Sequence, residues 1–195
     1  MLFIVVPTHR EPQRKKMARL TSIALMYPEA HVIHSDDFWG KGKGRAIRKG
    51  ILRALGFSKS PRDFLCYIDG DGDIPITQIQ ELYDHRNDAD VIVGKKKYDT
   101  LFMRRLISLL SRIYIYILFR IPVNTQTGVK LFRLHHMPPY STDGFGFDIE
   151  VLAIMQKQGR TFLEVPVDAT INKHVKPMAI IYTFIESIRI FFLLS

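Results

Sequence analysis

The chain has 195 residues, 47% apolar and 24% charged, which excludes an intrinsically disordered segment and leaves enough apolar material for a sizeable core. Its one cysteine, Cys66, excludes an intramolecular disulfide and fits a reducing, cytoplasmic setting. The excess of 28 Lys and Arg over 19 Asp and Glu, a net charge of +9, favours anionic partners such as phosphorylated small molecules, anionic lipid or nucleic acid.

The run Phe3–Val6 reads as a short buried strand closed by Pro7; it has no basic flank and is too short for a signal peptide. A helix to about Met26 follows, with Met17, Leu20, Ala24 and Tyr27 at helical spacing on its apolar face. "HVIH" is a second strand, and Lys43–Leu55 a helix burying Ile47, Ile51 and Leu55. "DFLCYI" is a third strand with Cys66 as a core thiol, "ITQIQELYDH" a helix and "ADVIVG" a fourth strand. After a long helix at Leu101–Ile121 come "GVKLF" (strand), Asp148–Gln158 (helix), "TFLEVPV" (strand) and an apolar helix at Met178–Ser195. This alternation predicts an α/β class: a Rossmann-like, mixed but mostly parallel sheet with helices on both faces. With no repeat, low-complexity tract or linker, residues 1–195 read as one domain.

Neither long apolar helix reads as membrane-spanning. Arg104, Arg105, Arg112 and Arg120 interrupt the first, and Glu186 and Arg189 the second. Helices of this composition lie at a membrane surface with arginines reaching phosphates, whereas a core helix or a dimer contact would use the same apolar residues.

In an open α/β sheet, ligands bind beyond the carboxyl ends of the strands, and the polar loops "PTHRE", "SDDFWGKGKG", "DGDGD" and "GKKKYD" all fall there. "CYIDGDGDIP" sets Asp69, Asp71 and Asp73 at alternate positions after a buried strand. Such carboxylates repel one another unless a cation sits among them, and hard Mg²⁺ or Mn²⁺ prefers their oxygens. An EF-hand fails, because Ile74 and Gln80 stand where glycine and glutamate are needed; a solvated acidic turn is the plain alternative. "GKGKGRAIRKG" is neither a Walker A loop nor a dinucleotide fingerprint, yet its amides at a helix start, with Lys41 and Lys43, suit an anion as well as they suit a solvated basic loop. "GFGFDIEVL" puts Asp148 and Glu150 in the first turn of a helix, where carboxylates complement the macrodipole or where one serves as a general base.

Taken together, "VVPTHRE", "GKGRAIRKGI", "YIDGDGDIP", "DVIVGKKKYD", "NTQTGVKLF" and "GFGFDIEVL…GRTFLEVPV" resemble, in order, the motifs of family 2 inverting glycosyltransferases of the GT-A fold. The nearest branch is the dolichyl-phosphate mannose and glucose synthases. Arg10 and Asn124 depart from the family's Asn and Asp, and the short interval from Pro7 to Lys41 omits one strand–helix unit, so that Asp36 and Asp37 stand in for its acidic loop. The resemblance implies inverting transfer of a sugar from a UDP- or GDP-sugar to a glycan, protein or polyprenyl-phosphate acceptor, with Mg²⁺ or Mn²⁺ as cofactor and no nucleic-acid partner. Pro7, Thr8, Glu11, Asp36 and Lys41 would line the nucleotide, and Asp69, Asp71 and Asp73 would hold the metal. Asp148 would be the base for a hydroxyl acceptor, or an orienting group for a lipid phosphate. Arg104, Arg105, Asn124, Gln126 and Lys130 would lie on the acceptor side. Peripheral attachment to the cytoplasmic membrane face, or a homodimer, would follow from the two apolar helices. A sugar-phosphate nucleotidyltransferase would use the same sheet and metal but needs a glycine-rich Arg-Lys loop after the first strand. A non-catalytic polyanion-binding module would explain the charge but not the clustered carboxylates.

Overall fold

Period-two alternation in each apolar run sends one set of side chains to each face of a sheet, and here both faces are covered. The computed structural model describes residues 1–8, 13–36, 42–97, 102–169 and 177–194, the side chains of 102–105 and 177–181 excepted. In chain order the elements are β1 (Leu2–Thr8), α1 (Gln13–Met26), β2 (His31–Asp36), α2 (Lys43–Phe57), β3 (Phe64–Ile68), α3 (Gln78–Asp84) and β4 (Val91–Lys96). They continue with α4 (Phe102–Phe119), β5 (Val129–Arg133), a 3-10 turn at Leu134–His136, α5 (Phe147–Lys157), β6 (Phe162–Val167) and α6 (Pro177–Leu194). One six-stranded sheet has the order β2-β1-β3-β5-β4-β6. β1 pairs in parallel with β2 and β3, and β4 with β6, while β5 runs antiparallel between β3 and β4. The predicted mixed, mostly parallel α/β class holds.

Phe3, Val5, Leu65, Tyr67 and Phe132 face one side of the sheet, against Ile47 and Ile51 of α2, Phe119 of α4, Leu152 of α5 and Ile190 of α6. Ile4, Val6, Cys66, Ile68 and Leu131 face the other, against Ile23 of α1 and Ile79 and Leu82 of α3. Cys66 is fully buried, and burial pushes its thiol well above the ordinary pKa, consistent with a core thiol.

Three local expectations shift. β1 continues through Pro7 to Thr8. Its pairing with β3 ends at Val5, and the Pro7 carbonyl faces Gly70 on that side, so the missing N–H costs no ladder bond. In α2 the inner stripe is Ile47, Ile51 and Ala54, and Leu55 is 37% exposed. In α1 only Ile23 is buried and Met17 is 50% exposed, whereas Lys16 and Arg19 turn toward the sheet's carboxyl edge. Of the expected apolar face, Leu20 and Tyr27 do pack against the core, and α1 additionally contributes cations to that edge.

β1 to β4 end on one side of the molecule, and antiparallel β5 begins there. Because Ile68 pairs with Val129, the turn at 124–128 lies beside Asp69.

Candidate active site

At the tips of β1 and β2, buried Thr8 places its hydroxyl 2.7 Å from Nε2 of His34 and donates to the Asp36 carboxylate. Lys16 pairs with the same carboxylate at 2.5 Å. Burial opposes ionisation of Asp36, but the bonds from Lys16 and Thr8 outweigh it and hold its pKa below the ordinary value. Thr8 and Asp36 are thus brought together, with Pro7 just behind them in β1. Glu11, Asp37 and Lys41 lie outside the described residues.

The turn after β3 is fixed from two sides. Arg19 donates to the carbonyls of Asp69 (2.5 Å) and Gly70 (2.8 Å), and the Asp69 N–H donates to the Gly128 carbonyl at 2.8 Å. A Cβ at Gly128 would come within 2.3 Å of Asp69 Oδ2, so only glycine lets the entry to β5 approach so closely. Asp71 is exposed, and its Oδ1 accepts the Asp73 N–H at 3.2 Å. Among the described residues no three His, Cys, Asp or Glu side chains converge on one point, in keeping with a metal held by Asp71 and one neighbouring carboxylate together with the donor, not by protein alone. Lys43 pairs with Asp69 Oδ1 at 2.6 Å. An oxygen-only donor set of one or two carboxylates still fits Mg²⁺ or Mn²⁺ shared with a substrate diphosphate. It does not fit a cation held by protein alone.

Lys43 opens α2. The first amides of that helix, expected to be open to an anion, are taken: Gly44 N–H donates to the Gly144 carbonyl and Arg45 N–H to the Asp143 carbonyl, both at 3.2 Å. The Lys43 ammonium lies 3.8 Å from Asp148 Oδ2 and 5.6 and 5.5 Å from the ring centres of Tyr67 and Phe147. Burial disfavours its charge, but Asp69 and Asp148 overcome this and hold its pKa above the ordinary lysine value.

Asp148, 8% exposed in the first turn of α5, accepts at Oδ1 from the Tyr67 hydroxyl and, at 2.8 Å, from Lys130. Burial, reinforced by Asp148, pushes the Tyr67 pKa well above the ordinary value. Glu150 turns away, since positions two apart on a helix do not share a face. It accepts the amides of Ser141 (2.9 Å) and Thr142 (2.7 Å) instead.

The acceptor-side set divides. Asn124 Oδ1 accepts the Gln126 N–H at 2.9 Å, and the Gln126 amide reaches Ser111 of α4 at 3.1 Å. Arg104 and Arg105 lie in the first turns of α4, their side chains outside the described residues. Lys130 is 0% exposed, in mid-sheet opposite Tyr67, and so is no surface contact. Sequence reasoning missed Lys16, Arg19 and Tyr67; of the two lysines it named in the basic loop, Lys43 lies in the site and Lys41 lies outside the described residues. Tyr67 stands two strand positions before Asp69 and so had a signal; Arg19 had none.

No protein-family model matches the sequence. No curated protein matches it either. Solved structures do. One is glucosyl-3-phosphoglycerate synthase from Mycobacterium tuberculosis, in complex with Mn²⁺, UDP-glucose and phosphoglyceric acid: 12% identity, 97% of this chain and 79% of that one, TM-score 0.69. Mannosyl-3-phosphoglycerate synthase from Rubrobacter xylanophilus is 13% identical over 97% of this chain and 72% of its own, with TM-score 0.71. The Mycobacterium tuberculosis enzyme with Mg²⁺ and UDP gives 13% identity, 97% and 78% coverage and TM-score 0.61. These likenesses establish the GT-A-type fold that the motifs implied. They do not single out the dolichyl-phosphate branch.

Proposed function

We propose that this chain is a metal-dependent, inverting glycosyltransferase that moves a sugar from a nucleoside-diphosphate donor to an acceptor. The observation that carries the reading is Lys43, which stands between Asp69 on the donor edge and Asp148 on the opposite helix. Carboxylates from two elements thereby share one cation in the crevice where this fold class binds ligands. The fold of synthases solved with UDP-glucose, Mn²⁺ and phosphoglyceric acid supports it.

Thr8 and Asp36 would frame the nucleoside, and Lys43 would meet the diphosphate. Asp71 together with Asp69 would hold Mg²⁺ or Mn²⁺. That cation, when bound, neutralises the charge developing on the leaving diphosphate. Asp148 Oδ2 would accept the proton of an acceptor hydroxyl, contributing about 10²–10⁴-fold. A small phosphorylated hydroxy acid and a lipid phosphate are the acceptor classes that suit a basic chain; with a phosphate nucleophile Asp148 would orient and not deprotonate.

Calorimetry of UDP and GDP with and without Mn²⁺ tests the donor half, and transfer from UDP-glucose to 3-phosphoglycerate the acceptor half. Asp71→Asn should lose metal-dependent nucleotide binding. Asp148→Asn should bind the donor within a few-fold but transfer about 10²–10⁴ times more slowly. No Mn²⁺-dependent affinity in the wild type, or unchanged affinity in Asp71→Asn, would sink the assignment.

A further inference from the structure

We propose that Lys130 is a positioning residue: its ammonium fixes Asp148 so that Oδ2 alone is presented to the acceptor, and it does not itself contact the acceptor. This rests on Asp148 being the carboxylate that meets the acceptor.

A lysine ammonium has three N–H donors and no acceptor. Here three oxygens face it: the carbonyls of Thr125 (3.0 Å) and Thr127 (2.6 Å) and Asp148 Oδ1 (2.8 Å). The count closes, and an incoming phosphate would have to displace one of these bonds. Solvent does not reach the group, which is 0% exposed. Its strand is flanked on both sides, Lys130 pairing with Tyr67 of β3 and Val93 of β4, so the side chain leaves a backbone that cannot shift. Burial pushes its pKa below the ordinary lysine value, the proximity of Lys43 adds to this, and Asp148 works against it. A buried charge of this kind is tolerated only with its partners in place.

The consequence falls on Asp148. Tyr67 and Lys130 both occupy Oδ1, while the nearest cation to Oδ2 is Lys43, at 3.8 Å and beyond hydrogen-bond range. Oδ2 is therefore the oxygen with room for a new partner. The same ammonium ties the 125–127 turn, and with it Asn124 and Gln126, to the start of α5. Lys130 thus registers the acceptor wall against the reacting oxygen without lying in that wall.

Two readouts test this. In ¹⁵N-lysine NMR of the wild type, a slowly exchanging ammonium resonance that Lys130→Met removes is expected, and its shift should not move when diamagnetic Mg²⁺ with UDP and then 3-phosphoglycerate are added. In transfer from UDP-glucose to 3-phosphoglycerate, Lys130→Met should lower kcat by about tenfold or more. The acceptor KM and the Mn²⁺-dependent UDP affinity should stay within about threefold of wild type. A resonance that shifts on adding 3-phosphoglycerate, the absence of any protected resonance, or a raised acceptor KM with kcat intact would overturn the proposal. Should Lys130→Met fail to fold, Tyr67→Phe removes the other Oδ1 bond and should give a smaller kcat loss at unchanged acceptor KM; a KM effect there would count against it equally. Failure of the wild type to bind UDP with Mn²⁺ would overturn the glycosyltransferase reading instead, while the resonance still decides whether the ammonium is saturated.

Discussion

Glu150 is 2% exposed and accepts the amides of Ser141 and Thr142 and the hydroxyl of Ser141. Burial opposes its charge, but these bonds prevail and hold its pKa below the ordinary glutamate value. The loop it fixes carries the Asp143 and Gly144 carbonyls that receive the first amides of α2, so Glu150 supports the placement of Lys43 from a distance. A carboxyl whose folded pKa is depressed contributes stability above its unfolded pKa and loses it as pH falls through the folded value. Glu150→Gln should therefore cost about 1–3 kcal/mol at pH 7. The gap from wild type should close as pH drops below about 4.3, the unfolded glutamate value. Urea titrations at neutral and acid pH measure this; a gap that stays constant would show that the loop does not depend on the charge.

α4 and α6 present apolar surface to solvent. Leu110 (57% exposed), Ile117 (64%) and Phe192 (74%) stand out, and a groove of about 340 Å³ runs between the helices past Tyr114 and Phe184. Arg112 turns inward to Glu164 and the Pro122 carbonyl, so the expectation that it reaches lipid phosphates gives way to a role in pinning α4. Glu186 pins α6 by accepting the Gly146 N–H at 2.6 Å, and a Cβ on Gly144 would meet it at 2.1 Å. Among the described residues no helix is long and apolar enough to cross a membrane. We propose surface association. Sedimentation should be stronger with anionic than with neutral liposomes and weaker at high salt, at about 1 kcal/mol per basic residue near the surface. Equal absence of binding to both would count against a lipid phosphate acceptor and leave a soluble hydroxyl. Every strand and α-helix was legible as an apolar run or a helical period, whereas the 3-10 turn at Leu134–His136 was not. Orientation was less so. The pattern "GVKLF" reads alike for either direction of β5, because alternation records which face a residue takes and not which way the strand runs. The inner face of α1 was legible at Leu20 and Tyr27 but not at its site-facing residues, Lys16 and Arg19, which are the type that period analysis assigns to solvent.

For the molecule as a whole, ligand linkage gives a test that needs no acceptor. At a nucleotide concentration 100 times Kd, binding to the folded state alone adds about 2.7 kcal/mol. For a chain of this size each kcal/mol raises Tm by about 2–4 °C, so UDP or GDP with Mn²⁺ should raise it by about 5–10 °C. Asp71→Asn should show little of that rise, and a wild type unmoved by either nucleotide would contradict the donor assignment. The placement of Tyr67 and Asp69 has a further implication. Tyr67 bonds Asp148, the carboxylate proposed to meet the acceptor, and Asp69, two residues on, is the one proposed to hold the metal on the donor. On that proposal, one short stretch of backbone, rising about 3.3 Å per residue, would act as a ruler between the two substrates. The loops around it can change length and so change what is recognised. The stretch itself cannot, because a single inserted residue would turn one mark of the ruler to the far side of the sheet. Changes of substrate in proteins built this way are therefore expected at the rim, and the spacing between Tyr67 and Asp69 is expected to stay.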